Sequence, residues 1–348
     1  MKRTVLIIHP GALGDILLAI PAIQSLRLKF PQHEIVLIAS TAVSRLLLEC
    51  GVISNGLPLE GQVCLRLFSR TVSISRELSS CVNRCDLAVA WMEDKEGMLG
   101  AFFQEFGVAK VQIQSPFSTG LRATHQSDRF LETLGEPTRD SVSERTVQVP
   151  PHLLERGKDS LDALRVFQEP SLVLVHPGSG SIHKRLEPRR MASLIERLWQ
   201  EGMYPLILEG PADQDAVGQA LRFMSRPPLV LRDLDLSQLA GVFPQVALYI
   251  GHDSGVTHLA ALLGVRTIAI FGPTDQHRWG PYGRHVSIVR GLPCGCESWE
   301  TIKSCVEKPC LHVPVEKILE ASRLTSRGTD NTRPHNSTET ALSLATPQ

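Results

Sequence analysis

The stretch that decides the fold is VALYIGHDSGVTHLAALLGVRTIAIFGPTDQHRWGPYG, residues 246–283. It opens with an apolar, β-branched run that is typical of a buried strand. The run breaks at GHDSG, resumes with Ala and Leu at helical spacing, and is followed by a second apolar run over 265–271. Strand, glycine-rich turn, helix and strand in this order form one βαβ unit of a parallel sheet. Ligands bind such sheets outside the carboxyl ends of the strands, so GHDSG is the first candidate site.

The residues of this turn suit a phosphate group. Asp253 or Ser254 is a natural helix N-cap, because its side-chain oxygen can accept from a free N–H of the first turn. Gly255 lets a ligand approach the backbone, and the remaining N–H groups and the helix dipole point at the same spot. His258 lies one turn further along the same face. The alternative interpretation is a capped helix with a packed histidine.

Two nearly identical strings occur in the chain, VLIIHPG at residues 5–11 and LVLVHPG at residues 172–178. Each predicts a buried strand that ends in a turn. The repetition indicates two similar α/β domains with corresponding turns facing one cleft, although a chance match of so short a string stays open. The polar helix that follows residue 150 is predicted to link the domains, which gives boundaries of 1–165 and 166–310.

Other elements follow from pattern alone. The sequence predicts a helix over 16–30 that Pro21 kinks or interrupts, a loop over 51–62, a helix over 68–82 and a last helix over 314–324. The tail, residues 326–348, is rich in Thr, Ser and Asn, has almost nothing to bury and is predicted to be disordered.

Composition excludes several functional classes. The 348 residues carry 36 basic and 36 acidic side chains, so no strong field attracts nucleic acid, and the basic residues form no stripe. No apolar run approaches the roughly 20 residues that span a bilayer. We therefore expect a cytoplasmic protein. Scattered cysteines agree with a reducing compartment.

Two further turns contain candidate site residues. In GALGD, Asp15 stands at a helix N-terminus, which keeps a carboxylate ionised and available as a general base. In HPGSGSIHKR, the glycines and Ser179 can form a backbone cradle for phosphate, and Lys184 supplies a positive charge. Helix capping and a solvated lysine are the alternatives. Neither a Walker A loop nor a dinucleotide fingerprint is present, so a nicotinamide enzyme is not supported.

Acidic residues and cysteines raise the question of a metal. Asp213 follows a strand end, where it could accept from ribose hydroxyls or cap a helix. The two DxD pairs, at 213/215 and 233/235, precede helices, so capping is the simpler account, and we predict neither a required metal nor another cofactor. Four cysteines between residues 294 and 310 do not have a standard zinc spacing, which leaves packed thiols as the favoured alternative to a bound metal.

As a set, these motifs resemble the bacterial ADP-heptose:lipopolysaccharide heptosyltransferases, glycosyltransferase family 9. The similar segments are VLIIHPGALGDILLAIPAIQSLRLKFP, ATHQSDRFLETLG, HPGSGSIHKRLEP and GHDSGVTHLAALLGVRTIAIFGPTD. The resemblance implies a GT-B fold, in which two Rossmann-like domains with parallel sheets face each other across a cleft. It also implies that a C-terminal helix, residues 311–325, crosses back onto the first domain.

The resemblance further implies roles for individual residues. Asp15 falls on the family's catalytic-base position and Lys184 on its donor-phosphate lysine. The remaining donor positions fall on Ser179, Asp213, Asp253, Ser254, Gly255 and His258, and Asp213 departs from the usual Glu. Family members often have Trp where this chain has Leu186, which bears on the packing around the donor.

The implied activity is an inverting, metal-independent transfer of a heptose or related sugar from a nucleotide donor, such as ADP-heptose. Its implied acceptor is a lipopolysaccharide core or another lipid-linked oligosaccharide, with peripheral contact at the cytoplasmic face of the inner membrane. Arg66, Arg70 and Arg122 are candidates for contacts with the acceptor. The alternatives are another GT-B sugar-nucleotide enzyme, with a different donor or an epimerase activity, and a catalytically silent scaffold for envelope assembly.

Overall fold

The computed structural model describes residues 2–115, 124–136, 147–166, 169, 171–296 and 298–324. Two parallel sheets organise this part of the chain. The strands of the first sheet, in the order β3-β2-β1-β4-β5, are β1 Thr4–Ile8, β2 Glu34–Ala39, β3 Asn55–Pro58, β4 Cys85–Ala90 and β5 Lys110–Ile113. Those of the second sheet, in the order β11-β10-β9-β6-β7-β8, are β6 Leu172–His176, β7 Tyr204–Glu209, β8 Val230–Arg232, β9 Leu248–His252, β10 Thr267–Phe271 and β11 Val286–Arg290.

Helices connect the strands and cover both sheets. The helices of the first half are α1 Leu13–Leu18, α2 Ile20–Lys29, α3 Thr41–Glu49, α4 Arg76–Val82, α5 Met98–Glu105, α6 Gln126–Thr133 and α7 Pro151–Ala163. Those of the second half are α8 Pro188–Gln200, α9 Gln214–Leu221, α10 Leu236–Val242, α11 Gly255–Leu262, α12 Gln276–Trp279, α13 Trp299–Ser304 and α14 Val315–Leu324. We call the sheet of β1–β5 with its helices the front lobe, and the sheet of β6–β11 with its helices the rear lobe.

The central strands are buried along their whole length. All residues of β1, β6, β9 and β10 are buried, as expected for parallel strands covered on both faces. The expected α/β class with two parallel sheets is therefore confirmed. Each lobe has its own core, and a third cluster of buried side chains joins the two.

The helix predicted over 16–30 is present as two pieces. The first piece, α1, ends at Leu18, and α2 begins at Ile20 with Pro21 in its first turn. Proline lacks an N–H and fits the first turn of a helix, so the break predicted at this residue is confirmed.

Other local predictions were only partly right. The segment predicted as a loop over 51–62 contains β3, a short edge strand. Its Gly56 and Pro58 are residues that strand patterns rarely contain, so the pattern did not indicate a strand. The helix predicted over 68–82 begins only at Arg76, because Ser75 caps it by accepting from the N–H of Leu78. Sequence patterns also missed α5 and the edge strand β11.

Helix α7 packs on the rear lobe, although the predicted boundary assigns it to the first domain. It crosses α10 so closely that a Cβ on Gly157 would lie 2.1 Å from the carbonyl carbon of Gly241. Arg156 also pairs with Asp235 at 2.8 Å, and Gln245 donates to the carbonyl of Leu154 at 2.9 Å. The structural rear lobe thus begins before residue 166.

Helix α14 also packs on the rear lobe, against α8 and the edge formed by β10 and β11. Ile318 and Leu319 belong to the rear-lobe core. Arg197 pairs with Glu316 at 3.3 Å, and the carbonyl of Ser322 accepts from Arg266 at 2.7 Å. This position differs from the expectation that the helix crosses back onto the first domain, because its apolar face packs against the core of the rear lobe. The predicted tail, residues 326–348, lies outside the described residues.

Among the described residues, no helix combines the length and the apolar character that would be needed to cross a bilayer.

Candidate active site

The two lobes meet where α1 and α11 begin. A Cβ on Gly255 would lie 2.9 Å from Cβ of Leu13 and 3.0 Å from the backbone nitrogen of Gly14. A Cβ on Gly14 would in turn lie 3.2 Å from Cδ2 of His258. The first turns of the two helices therefore contact each other closely, with Gly14 and Gly255 leaving room for the side chains of Leu13 and His258. Each helix directly follows a strand end, α1 after β1 and α11 after β9, so the contact lies at the carboxyl edge of both sheets.

Asp15 lies in the first turn of α1, on the rim of this contact. Its Oδ2 accepts from the N–H of Ala12 at 3.2 Å. Burial raises the pKa of Asp15 above its ordinary value, while the Ala12 N–H and the charge of Lys184 oppose the rise and the charge of Asp253 adds to it. The carboxylate of the front lobe thus interacts electrostatically with two charged side chains of the rear lobe.

Lys184 and Asp253 form the ion pair of the rear lobe. Nζ of Lys184 lies 2.7 Å from Oδ2 of Asp253, and their side chains are only 18% and 7% exposed. The hydroxyl of Ser179 donates to the backbone carbonyl of Asp253 at 2.7 Å. The turn after β6 is therefore tied to the turn after β9 by one side-chain pair and one side chain–backbone bond.

Ser254 resolves the alternative that the sequence left open at the start of α11. It is the N-cap, and its Oγ accepts from the N–H of Thr257 at 3.3 Å. Asp253 instead uses its carboxylate on Lys184. Gly255 follows as the first helical residue, where any side chain would collide with α1.

His258 is buried between the lobes. Burial lowers its pKa to about 4, with a smaller rise from Asp253 and a smaller lowering from Lys184. The imidazole is therefore neutral at physiological pH. Within the described part of the chain its Nδ1 has no hydrogen-bond partner. The neutral ring therefore adds no charge to the contact between the lobes.

Asp213 supports the turn after β6. It precedes α9, and its Oδ2 accepts from the N–H of Gly210 at 3.1 Å and lies 2.9 Å from Nε2 of His176. Burial alone would raise the pKa of Asp213, but the hydrogen bond and charge of His176 lower it below the ordinary value. The other oxygen lies against Gly178, where a Cβ would be 1.7 Å from Oδ1.

Sequence reasoning missed His252, which fixes the loop that contains Lys184. The N–H of Leu186 donates to Nε2 of His252 at 2.9 Å, so the proton is on Nδ1, which faces the carbonyl of Gly178 at 3.2 Å. Burial lowers the pKa of this ring to about 4. Its position beside Asp253 in a strand-end turn was the available signal.

The acidic residues and cysteines considered as metal ligands make ordinary structural contacts. Asp235 caps α10 by accepting from the N–H of Gln238 at 2.7 Å, and Asp213 is engaged as described above. All eight cysteines are free thiols. The electrostatic interactions among Cys294, Cys296, Cys305 and Cys310 show that these thiols are neighbours. In the ranges that the structure describes, no three His, Cys, Asp or Glu side chains are arranged to hold a metal ion.

Two of the three acceptor candidates line one cavity of the front lobe. Arg66 pairs with Glu105 and stacks over Phe102, with 5.6 Å from its guanidinium carbon to the ring centroid. Arg70 lines the same shallow cavity of the front lobe. The third candidate, Arg122, lies outside the described residues.

Residues 96–310 match the model of glycosyltransferase family 9 (heptosyltransferase). The chain belongs to glycosyltransferase family 9. A relative in this group is lipopolysaccharide heptosyltransferase 1 of Pseudomonas aeruginosa, which is 30% identical over 149 residues, or 42% of this chain and 39% of the relative. The chain spans less than half of the length of the curated relatives it matches.

Solved structures support the same fold. A family 9 glycosyltransferase from Veillonella parvula superposes with a TM-score of 0.76 at 18% identity, covering 93% of this chain and 97% of the other. The Escherichia coli heptosyltransferase WaaC with ADP superposes with a TM-score of 0.63 at 15% identity, covering 92% and 99%. With the two parallel sheets, these similarities confirm the predicted GT-B fold.

The glycine contact between the lobes of this family 9 chain can be tested by stability. Gly255→Ala is expected to lower the free energy of unfolding by about 1–3 kcal/mol, because the added methyl group overpacks the contact with Leu13 and Gly14. The measurement is urea unfolding. Gly218→Ala in α9 is the matched control: its Cβ meets open space, so the change is expected to be neutral or to stabilise by up to about 1 kcal/mol. Equal stability of both variants would show that the lobes do not touch here.

Proposed function

We propose that this chain is an inverting glycosyltransferase that moves a heptose or related sugar from an ADP-sugar to a lipopolysaccharide core or another lipid-linked acceptor. The observation that carries the proposal is the position of Asp15. A front-lobe carboxylate interacts across the lobe contact with Lys184 and Asp253, beside the start of α11. That arrangement sets a base opposite an anion-binding turn.

The rear lobe is proposed to hold the donor. The diphosphate would lie against Ser179, Lys184 and the first turn of α11, residues 254–258, where N–H groups and the helix dipole favour negative charge. Lys184 would leave Asp253 for the phosphate, with Asp253 and Ser179 keeping the two turns together. Asp213 would accept from a ribose hydroxyl through Oδ1, because the two bonds that the structure shows for its carboxylate end on Oδ2.

The proposed reaction is a single displacement. The acceptor oxygen forms a bond to the anomeric carbon while the bond from that carbon to the phosphate oxygen breaks. The electron pair of the broken bond stays on the diphosphate, where Lys184 and the α11 amides stabilise it. Asp15 takes the proton of the acceptor hydroxyl, and its raised pKa makes it a stronger base than an ordinary aspartate. Attack opposite the leaving group inverts the anomeric configuration.

Relatives support the choice of donor and acceptor class. The curated relatives are lipopolysaccharide heptosyltransferases, and one similar structure is described with ADP. A lipid-linked acceptor resides in a bilayer, so the proposal includes peripheral contact with the cytoplasmic face of the inner membrane.

The test is a binding and turnover panel. We expect ADP-heptose to raise the melting temperature, since a ligand that binds only the native state stabilises it, whereas UDP-, GDP- and CMP-sugars have little effect. ADP release should then require a lipopolysaccharide-core acceptor, with the product identified by mass spectrometry. A preference for another nucleotide would contradict the donor assignment. Epimerised donor without transfer would indicate an epimerase, and binding without turnover would favour a silent scaffold.

A further inference from the structure

A long excursion connects β11 to α14, and we call its residues 291–312 the roof segment. Its two ends are fastened together, since Gly291 N–H donates to the carbonyl of Cys310 at 3.0 Å and Leu292 N–H to that of Pro309 at 3.2 Å. The chain therefore leaves the rear sheet and returns to it at one place. The described part of the segment buries few apolar side chains: Cys310 and Leu311 are buried, whereas Val306 is 92% exposed.

The roof segment reaches across the carboxyl edge of the rear sheet. It starts directly after β11 and contacts Lys184, which lies in the turn after β6. In the rear sheet β6 is three strands away from β11, which is about 14 Å at ordinary strand spacing. Two observations on Leu311 show where the segment passes along this edge. Leu311 lies against Gly272 at the end of β10, where a Cβ would be 2.6 Å from Cδ2 of Leu311. Leu311 also shares a cavity with His252 at the end of β9.

Trp299 makes the contact with Lys184. The ring centroid of Trp299 lies 5.4 Å from Nζ of Lys184, and the residue is 49% exposed. Trp299 is the first residue of α13, and Ser298 caps this helix by accepting from the N–H of Thr301 at 3.2 Å. The helix start thus fixes a large aromatic side chain over the lysine while leaving half of it open.

The roof segment also borders a cavity beside the loop that contains Lys184. This cavity, of about 450 Å³, is lined by Val306 and Leu311 of the roof segment and by Ile182 and Leu186, which flank Lys184. The cavity lies between the roof segment and this loop, and the Trp299 contact involves the residue proposed to bind phosphate.

We propose that Trp299 is a donor-contact residue whose indole packs on the C–H face of a sugar ring attached to the diphosphate. The inference rests on the proposed function, because it needs Lys184 to leave Asp253 for the diphosphate. When Lys184 moves to the diphosphate, the face of the Trp299 indole that it covered becomes free to contact the sugar linked to the phosphate. The donor has two such rings, the ribose and the transferred sugar, and both present C–H groups to an aromatic face.

The experiment combines fluorescence with kinetics. ADP and ADP-heptose are titrated separately, without acceptor, into the wild type, Trp299→Phe and Trp199→Phe. Trp199 lies in α8, stacked with Arg226 at 5.3 Å, and serves as the matched control. We expect a ligand-dependent change in tryptophan emission that persists in Trp199→Phe and disappears in Trp299→Phe. A full change with ADP assigns the contact to the ribose, and a change with ADP-heptose alone assigns it to the transferred sugar.

The kinetic measurements distinguish a donor-contact role of Trp299 from a purely structural role. Trp299→Ala is expected to raise the donor KM about tenfold, as for loss of one stacked ring, with kcat nearly unchanged and most of the loss restored by Phe. An unchanged KM, or an emission change that survives in Trp299→Phe, would overturn the inference while calorimetric binding of ADP-heptose still supports the proposed function. A lower melting temperature without a ligand-dependent signal would assign Trp299 a structural role only. Absence of nucleotide-sugar binding by the wild type would overturn both proposals.

Discussion

Asp15→Asn is expected to lower kcat by about 10²–10⁴-fold while leaving the Kd for ADP near the wild-type value. The amide cannot accept the proton of the acceptor hydroxyl, but its oxygen can still accept from the N–H of Ala12, so the turn keeps its shape. The measurements are steady-state ADP release and calorimetric titration with ADP. The matched control is Asp94→Asn, because Asp94 also accepts backbone N–H groups, from Leu99 and Gly100, at a helix start of the front lobe. An unchanged kcat would remove Asp15 from the role of base.

The raised pKa of Asp15 gives this prediction a pH signature. A general base works in its ionised form, so kcat should fall as pH drops through the pKa of Asp15, and the fall should lie above the pH of an ordinary aspartate. The pH dependence of the free energy of unfolding has the opposite sign to that of kcat. The folded state binds the proton more tightly than the unfolded state, so Asp15 costs stability as pH rises through its raised pKa. Asp15→Asn should therefore unfold at an equal or higher urea concentration at neutral pH.

Lys184→Met is expected to lower kcat/KM by about 10²–10³-fold, because it removes the mobile cation proposed to stabilise charge on the leaving diphosphate. The substitution also leaves the carboxylate of Asp253, 7% exposed, without its partner at 2.7 Å. A loss of activity by unfolding must therefore be separated from a loss of transition-state stabilisation.

The double variant Lys184→Met with Asp253→Asn provides that separation. It removes both charges of the pair, so the urea midpoint should recover toward wild type while kcat/KM stays low. Lys95→Met is the surface control, since Lys95 is 83% exposed and pairs with the exposed Glu93 at 2.9 Å. Recovery of activity in the double variant would contradict the role of Lys184 on the donor.

The strand-end turns were predictable because each combines a strong strand pattern with residues that break it. The repeated His-Pro-Gly after β1 and β6 and the Asp-Ser-Gly after β9 indicated the sheets and the site edge together. The close contact of Gly14 with Gly255 was not predictable, since it depends on how two distant helices approach. Only their shared lack of a Cβ hinted at it.

The two strands that sequence patterns missed share one physical property. The strands β3 and β11 lie at sheet edges, where partial exposure removes the continuous apolar run of a central strand. The path of α14 was expected from the family resemblance alone, because an apolar face on a helix does not say which lobe the helix covers. In the structure, α14 packs on α8 and on the edge formed by β10 and β11.

The crossing of α7 over α10 has a practical consequence for dissecting the protein. Because Gly157 and Gly241 touch through their backbones, α7 must travel with the half of the molecule that follows it. A gene fragment starting at residue 166 would strip that half of a helix and expose Gly241 and its neighbours. A fragment starting near residue 147 keeps the helix, together with the bond from Val147 N–H to the carbonyl of Leu262.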